Sequence, residues 1–335
     1  MKNIHYYITT LVVLLLIVAP VKAASEAEFG KLHKTYTLHA DGSREMRVQK
    51  ELTLFTHTAM NRLYGESFIV YNPEFQELKI HESYTRQKDG NIVKTPENAF
   101  VEVLPSAAAD APAYNGLKEM VVVHTGLELG ATIYLDYSVI TRPGYLPELD
   151  VCEQVEELSP IKEYVFSLSV PESKPLHYEL LNGKAVPVVK TIGGIKTVTW
   201  TLKNVQPRPN MIQVSLPAGN VQAIVASTYI SKADALKVVK QQFENNDKEV
   251  SKLAKKLTSN AQTPEQKTKL LTTYVQGLGS CRLSLAQTGY RLRPAAEVVR
   301  SAYGTEAEKV ALLVALQQAS GIQAEIKAVF PKTED

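Results

Sequence analysis

The stretch IYLDYSV, residues 133–139, decides how the first two thirds of the chain are read. Ile133, Leu135, Tyr137 and Val139 are separated by Tyr134, Asp136 and Ser138. A period of two puts the first four on one side of a strand and turns the other side toward water. The same alternation recurs on either side. It appears at Met46, Val48, Leu52 and Leu54 after the Asp41-Gly42 turn, and at Leu78, Ile80 and Tyr84 before Asp89-Gly90. It returns at Tyr164, Phe166, Leu168 and Val170, and at Val198, Trp200 and Leu202. Alternating runs bounded by Gly, Pro, Asn and Asp are half-buried antiparallel strands. So many of them imply two packed β-layers, an antiparallel β-sandwich-like domain over residues 24–222. Within it PSAAADAPAYNG, residues 105–116, reads as an exposed loop, too poor in large apolar side chains to order itself.

After Thr228 the period lengthens to that of a helix, over residues 229–335. Ser231 and Asp234 cap a helix carrying Leu236, Val239 and Phe243. Val250, Leu253, Ala254 and Leu257 mark the next. Thr263, Pro264 and Gln266 supply an N-cap, a proline at the first helical position and a capping-box partner for a third. Arg293-Pro294 precedes a short helix through Val299. Thr305 and Glu308 then open the most apolar helix, with Val310, Leu312, Leu313, Leu316 and Ala319, and Gly321 closes it. Apolar residues on nearly every side of that helix predict a buried central position. Ile322 to Phe330 reads as a strand. The fold class is therefore α+β.

The other end of the chain reads as an export signal. Lys2 begins it, Leu11 to Val18 form an apolar run too short for the ~20 residues a membrane span needs, and Val21 and Ala23 fit a cleavage site after Ala23. The expected location is periplasmic or secreted, with no transmembrane segment after processing. The whole chain carries 37 basic and 35 acidic side chains. Removing Lys2 and Lys22 with the leader leaves the remainder formally neutral, which argues against a nucleic-acid surface. Cys152 and Cys281 are too few for a disulfide scaffold, and their pairing is left open.

GYRLRPAAEVVRSAYG, residues 289–304, followed by TEAEKVALLVALQQASGIQAEIKAVF, resembles the core of the transglutaminase-like superfamily of cysteine-nucleophile enzymes. The preceding region, with DGS at 41–43, YGESFIVYNP at 64–73 and KDGNIV at 88–93, resembles the uncharacterised β-rich domain that precedes such cores in exported bacterial proteins. The resemblance implies a cysteine at the N-terminus of the central helix, activated by the helix dipole, with a histidine on a following strand as its base. In the matching register the cysteine position is occupied by Glu306, and its usual aspartate neighbour is Thr305. No histidine follows His177, and the family's histidine is expected beyond residue 335. The core therefore reads as partial and without its nucleophile.

Glu306 and Glu308 then read as first-turn carboxylates that stabilise an exposed helix start. Cys281 reads as a small buried hydrophobe. His33, His39, His57, His81, His124 and His177 read as solvent-facing strand residues rather than metal ligands, since no Cys or carboxylate joins them at ligand spacing. No cofactor is implied. The binding candidates are Tyr290, Arg291 and Arg293; an arginine here either bonds carbonyls or Glu297, or takes an acidic partner or a peptide C-terminus. A sheet edge in the β-domain is a further candidate for strand addition. The reading is a non-catalytic exported binding or scaffolding protein, with a protein or peptide partner at the cell envelope. The alternative is a truncated or split transglutaminase-like enzyme, of cysteine-protease, amidase or acyl-transferase type, completed by another chain.

Overall fold

The computed structural model describes residues 25–208, 221–243 and 247–326. The leader expected at 1–23 lies outside them, as does the end of the strand expected over Ile322–Phe330; residues 322–326 form no strand. Chain order gives β1 (Ala27–Leu38), β2 (Arg44–Leu54), β3 (Glu66–Tyr71), β4 (Gln76–Arg86), β5 (Ile92–Lys94), β6 (Phe100–Val103), β7 (Lys118–Val123), β8 (Thr132–Thr141), β9 (Asp150–Gln154), β10 (Ile161–Pro171), β11 (His177–Leu181), β12 (Val188–Ile192), β13 (Ile195–Val205) and β14 (Ala223–Ser227). The fold is mixed α+β, with strands predominating.

An eight-stranded sheet runs β12-β13-β10-β1-β2-β8-β4-β5. All the alternating runs noted above lie in it, and the register aligns their apolar sides: Tyr36 faces Met46 and Leu168, Val48 faces Tyr137, and Phe166 faces Trp200. The expectation of an all-antiparallel sheet is corrected at its centre, where β1 and β10 run parallel. Alternation says which residues share a face, not which way a strand runs. The outward side is polar; there Arg47 donates to Asp136 through Nε (2.9 Å) and Nη2 (2.7 Å).

Two smaller sheets cover the apolar side. The sheet β11-β14-β9 contributes Val151, Ile224 and Ala226 to the same core as Phe29, Leu52, Phe166 and Trp200. The sheet β3-β7-β6 contributes Ile69, Tyr71 and Val122 to a second core with Leu135 and Val139. Trp200, Tyr164 and Phe166 are fully buried, each side chain of this size worth about 1.5–3 kcal/mol when withdrawn from water.

The helices are α1 (Lys232–Lys240), α2 (Lys248–Leu257), α3 (Pro264–Gln276), α4 (Ala295–Ser301) and α5 (Glu306–Ala319), with short strands β15 (Gly279–Cys281) and β16 (Tyr303–Thr305) between them. The caps occur as expected: Thr263 with Gln266 and Thr305 with Glu308 form capping boxes, and Gly321 takes a left-handed φ of +78°. Val250, Ala254, Leu271, Val275, Ala295 and Val298 pack around Leu312, Ala315 and Leu316 of α5. The helix is not apolar-buried all round: Val310 is exposed.

Candidate functional site

The N-terminus of α5 follows directly on the 289–304 motif and carries Glu306. The parallel pairing of β15 with β16 sets Cys281 beside Thr305. Ala302, with φ +59°, ends α4 and turns the chain into β16. At Gly304 a Cβ would sit 3.1 Å from Val298 and 3.3 Å from Glu308, so any larger residue would require one of these side chains to shift.

Glu308 is the hub of this region, and it is buried rather than exposed. Its Oε1 accepts from the Arg293 backbone N–H (3.0 Å), from Arg293 Nε (3.0 Å) and from Tyr114 OH (2.5 Å). Its Oε2 accepts from Arg293 Nη2 (3.0 Å) and the Thr305 N–H (2.9 Å). Arg293 spends its remaining donors on Ser301 Oγ (3.1 Å) and the Tyr303 carbonyl (2.8 Å), and its guanidinium lies 4.5 Å from the Tyr303 ring centroid. Burial pushes the Glu308 carboxyl upward, but the hydrogen bonds from Arg293, Tyr114 and the backbone outweigh it and hold the group below its ordinary range. Burial likewise opposes the charge on Arg293, and Glu308 more than restores it. Tyr114 is raised by burial and then by Glu308. The expected partner Glu297 is not the one used. Four residues separate Arg293 from Glu297 along the chain, but the chain turn at β16 brings Glu308 within reach of the whole fork.

Tyr114 belongs to the stretch expected to be an exposed, unordered loop. That expectation is corrected: residues 106–108 and 112–114 form 3₁₀ turns, and Ala108 and Ala111 are buried with Leu117 against Cys281 and Leu283. The Ala113 N–H donates to Tyr303 OH (2.8 Å), and Cys281 Sγ donates to the Ala107 carbonyl (3.3 Å). The loop's small residues cannot form a core of their own, but they fit closely against one supplied by the helical region.

The other two binding candidates also lie on this seam. Tyr290, with φ +57°, donates to Asp150 Oδ2 (2.7 Å); burial and then Asp150 push its phenol upward. Gly289, at φ +64°, lets the Tyr145 ring approach to 2.5 Å of where a Cβ would stand. Arg291 is exposed, 5.2 Å from the Phe75 ring centroid and 5.8 Å from that of Tyr145, two rings stacked on each other. Of the three candidates, Tyr290 and Arg293 have their polar atoms engaged within the chain, whereas Arg291 meets the described residues through its cation over these rings.

Glu306 stands exposed at the first position of α5. Cys281 is buried and unpaired, and burial raises its thiol, with Glu308 adding to the effect. A thiol held protonated and donating to a carbonyl is a poor nucleophile. Among the described residues no group of three His, Cys, Asp or Glu side chains is placed to hold a metal ion. The histidine expectation fails at His124, which is buried beside Ser67 rather than facing solvent, and at His39 and His57, which lie outside the strands.

Sequence reasoning missed Tyr114, Asp150, and a group formed by Lys50, Ser67 and His124. For Lys50 a signal existed. It interrupts the row Met46, Val48, Leu52, Leu54 at the one inward position without an apolar side chain.

Comparison with known proteins supplies three findings. The family described as "Domain of Unknown Function with solved-structure structure (DUF3857)" matches residues 40–209. A crystal structure of a candidate protease from Parabacteroides distasonis is 53% identical, with a TM-score of 0.85, over 89% of this chain and 60% of that one. The chain thus spans 60% of the length of that relative. An M1 zinc metallopeptidase from Deinococcus radiodurans aligns at 13% identity over 60% of this chain and 41% of its own, with a TM-score of 0.29, too low to carry any likeness of fold. No curated protein matches.

Proposed function

The chain belongs to the DUF3857 family, and from that premise we propose that it is a non-catalytic exported binding or scaffolding protein, acting at the cell envelope. It joins a β-sandwich-like domain over residues 24–222 to a partial transglutaminase-like helical domain over 229–335. One observation carries this reading. The start of α5 presents the carboxylate of Glu306, and the thiol nearest to it, Cys281, donates to the Ala107 carbonyl beneath the 105–116 loop. A carboxylate does not form the acyl intermediate a thiolate would, and the hydrogen bond of the thiol goes to the Ala107 carbonyl rather than to a base.

Strand β12 supports partner binding. It ends the large sheet, and Val188, Val189 and Ile192 are exposed along it, with exposed Val186 just before it. An unpaired apolar edge is suited to an extended peptide that adds a strand.

A second reading is favoured by the 53% identical candidate protease. In it the chain is the larger part of a protease-like enzyme, and a segment beyond Asp335 or a second chain supplies nucleophile and base. Casein cleavage and amine incorporation by wild type, Cys281→Ala and Glu306→Cys separate the two. Silence in all three, with native circular dichroism, is expected. Wild-type turnover lost in Cys281→Ala would overturn the binding reading. N-terminal sequencing of periplasmic protein is expected to begin at Ala24; full-length protein confined to the cytosol would remove the export proposal.

A further inference from the structure

The two covering sheets leave a seam between them, and a cleft of about 370 Å³ opens there over the centre of the large sheet. Its floor is β1, β2 and β8; β3 forms one wall and Glu153 and Glu157 the other. The volume is within the range of small-ligand sites and equals about a dozen water volumes at ~30 Å³ each. The floor is largely apolar and aromatic, from Phe29, Leu32, Tyr36, Leu135 and Tyr137, whereas the walls carry the acids Glu66, Glu153 and Glu157.

Lys50 points into this cleft with most of its hydrogen-bonding capacity unspent. Its Nζ donates to Ser67 Oγ (2.6 Å). Ser67 Oγ is in turn 2.7 Å from His124 Nε2. Burial, and then the charge of Lys50, pushes His124 down to about 3, so the ring is neutral, and its Nε2 shares one hydrogen bond with Ser67 Oγ. Ser67 is thereby committed on both sides, and an ammonium has three donors. No carboxylate of the described residues lies within ion-pairing distance of Lys50. The two acids on the far wall are already engaged: Glu153 takes Lys34 (2.5 Å) and Tyr36 (2.8 Å), and Glu157 lies 3.7 Å from Lys34. Lys50 is half-buried, and a cation with idle donors there is costly unless water or a ligand completes it.

We infer that this cleft binds a carboxylate with an apolar, aromatic-sized body, its charge met by Lys50 and its body by the aromatic floor. The ligand is a free carboxylic acid or the C-terminal aromatic residue of a peptide. The cleft lies wholly within the β-strand region, so the inference goes beyond the binding reading of the whole chain and stands or falls separately from any catalytic assay. Ser67 acts as a positioning residue, which holds the amine toward the cleft through its bond to His124.

Isothermal titration of the full chain at neutral pH tests it with 3-phenylpropionate, its amide, 3-phenylpropylamine, and acetyl-Gly-Phe with free and amidated C-termini. Binding by the acid or the free-ended peptide, lost in the amide forms, is expected, and whichever of the two binds identifies the source. Lys50→Met should weaken it at least about tenfold with unchanged circular dichroism, and Ser67→Ala should weaken it less. Lys50→Arg should retain part of it. Equal binding of acid and amide, binding of the amine instead, undiminished binding in Lys50→Met, or no binding of either carboxylate at millimolar concentration would each overturn the inference.

Discussion

Arg293 and Lys50 are both basic side chains drawn out of water, and the chain holds them in opposite ways. Arg293 has a buried carboxylate, two carbonyl or hydroxyl acceptors and an aromatic face, so each polar atom on both sides of the pair is answered. Lys50 has one hydroxyl, and that hydroxyl is shared with His124. The first arrangement ties the 105–116 loop to α5 and has nothing left for a ligand. The second is incomplete until something enters. A buried charge is thus evidence for fastening or for recognition according to how much of its hydrogen-bonding capacity the fold itself consumes.

The largest expected effect attacks the fastening. Arg293→Ala leaves Glu308 buried without its main partner, and the loss should be about 3–5 kcal/mol. Urea unfolding followed at 222 nm, which reports the helices, is the measurement. The fluorescence of Trp200, the one tryptophan of the chain, should shift much less, because Trp200 lies in the β-strand core. Coincident shifts of both signals would show one cooperative unit and remove the proposed domain division.

Lys50→Met should move stability the other way. Burial lowers the Lys50 amine from 10.5 to about 8, with Glu157 opposing the change. The folded chain therefore holds that proton less tightly than the unfolded chain. Below pH 8 both states carry it and the fold bears the whole penalty. Between about pH 8 and 10.5 the unfolded chain binds more protons, and stability rises with pH. Lys50→Met is expected to be more stable than wild type at pH 7 by about 1–3 kcal/mol, with the gap closing as pH climbs through that window. A variant less stable than wild type at pH 7 would place Lys50 in the same class as Arg293.

Tyr114→Phe removes one donor and leaves Glu308 its arginine and backbone partners. The cost should be about 1.5 kcal/mol, and loosening of the loop should speed alkylation of Cys281 by iodoacetamide. An unchanged rate would mean that the loop is held by its alanines and not by this hydroxyl. Arg291→Ala carries the smallest effect, about 0.5–1 kcal/mol for an exposed cation over rings, visible as a small shift in the urea midpoint at 222 nm.

The sequence was most legible where local chemistry and burial agree. Met46 through Leu54, Ile133 through Val139 and Tyr164 through Val170 could be read as half-buried strands because the period is two, broken on the inward side at Lys50 alone. Thr263 and Thr305 could be read as caps because a capping box closes within four residues. The site was far less legible. Tyr290, Arg291 and Arg293 were found, but their partners Asp150, the Phe75–Tyr145 stack and Glu308 were not, since all lie at sequence separations that no periodicity spans. The small-residue loop was misread for the same reason: its burial is supplied by Cys281 and Leu283, far along the chain.

What the sequence determined by itself was therefore five long strands of the large sheet with their inward faces, the helices that follow, and their caps. What only the tertiary structure decided was direction and company: that β1 runs parallel to β10, that Glu308 is a buried hub rather than an exposed first-turn acid, and that Lys50 is left facing a seam between two covering sheets. The physical reason is range. Propensity, capping and alternation act over a few residues, whereas the cost of a buried charge depends on which distant groups the finished fold brings to it.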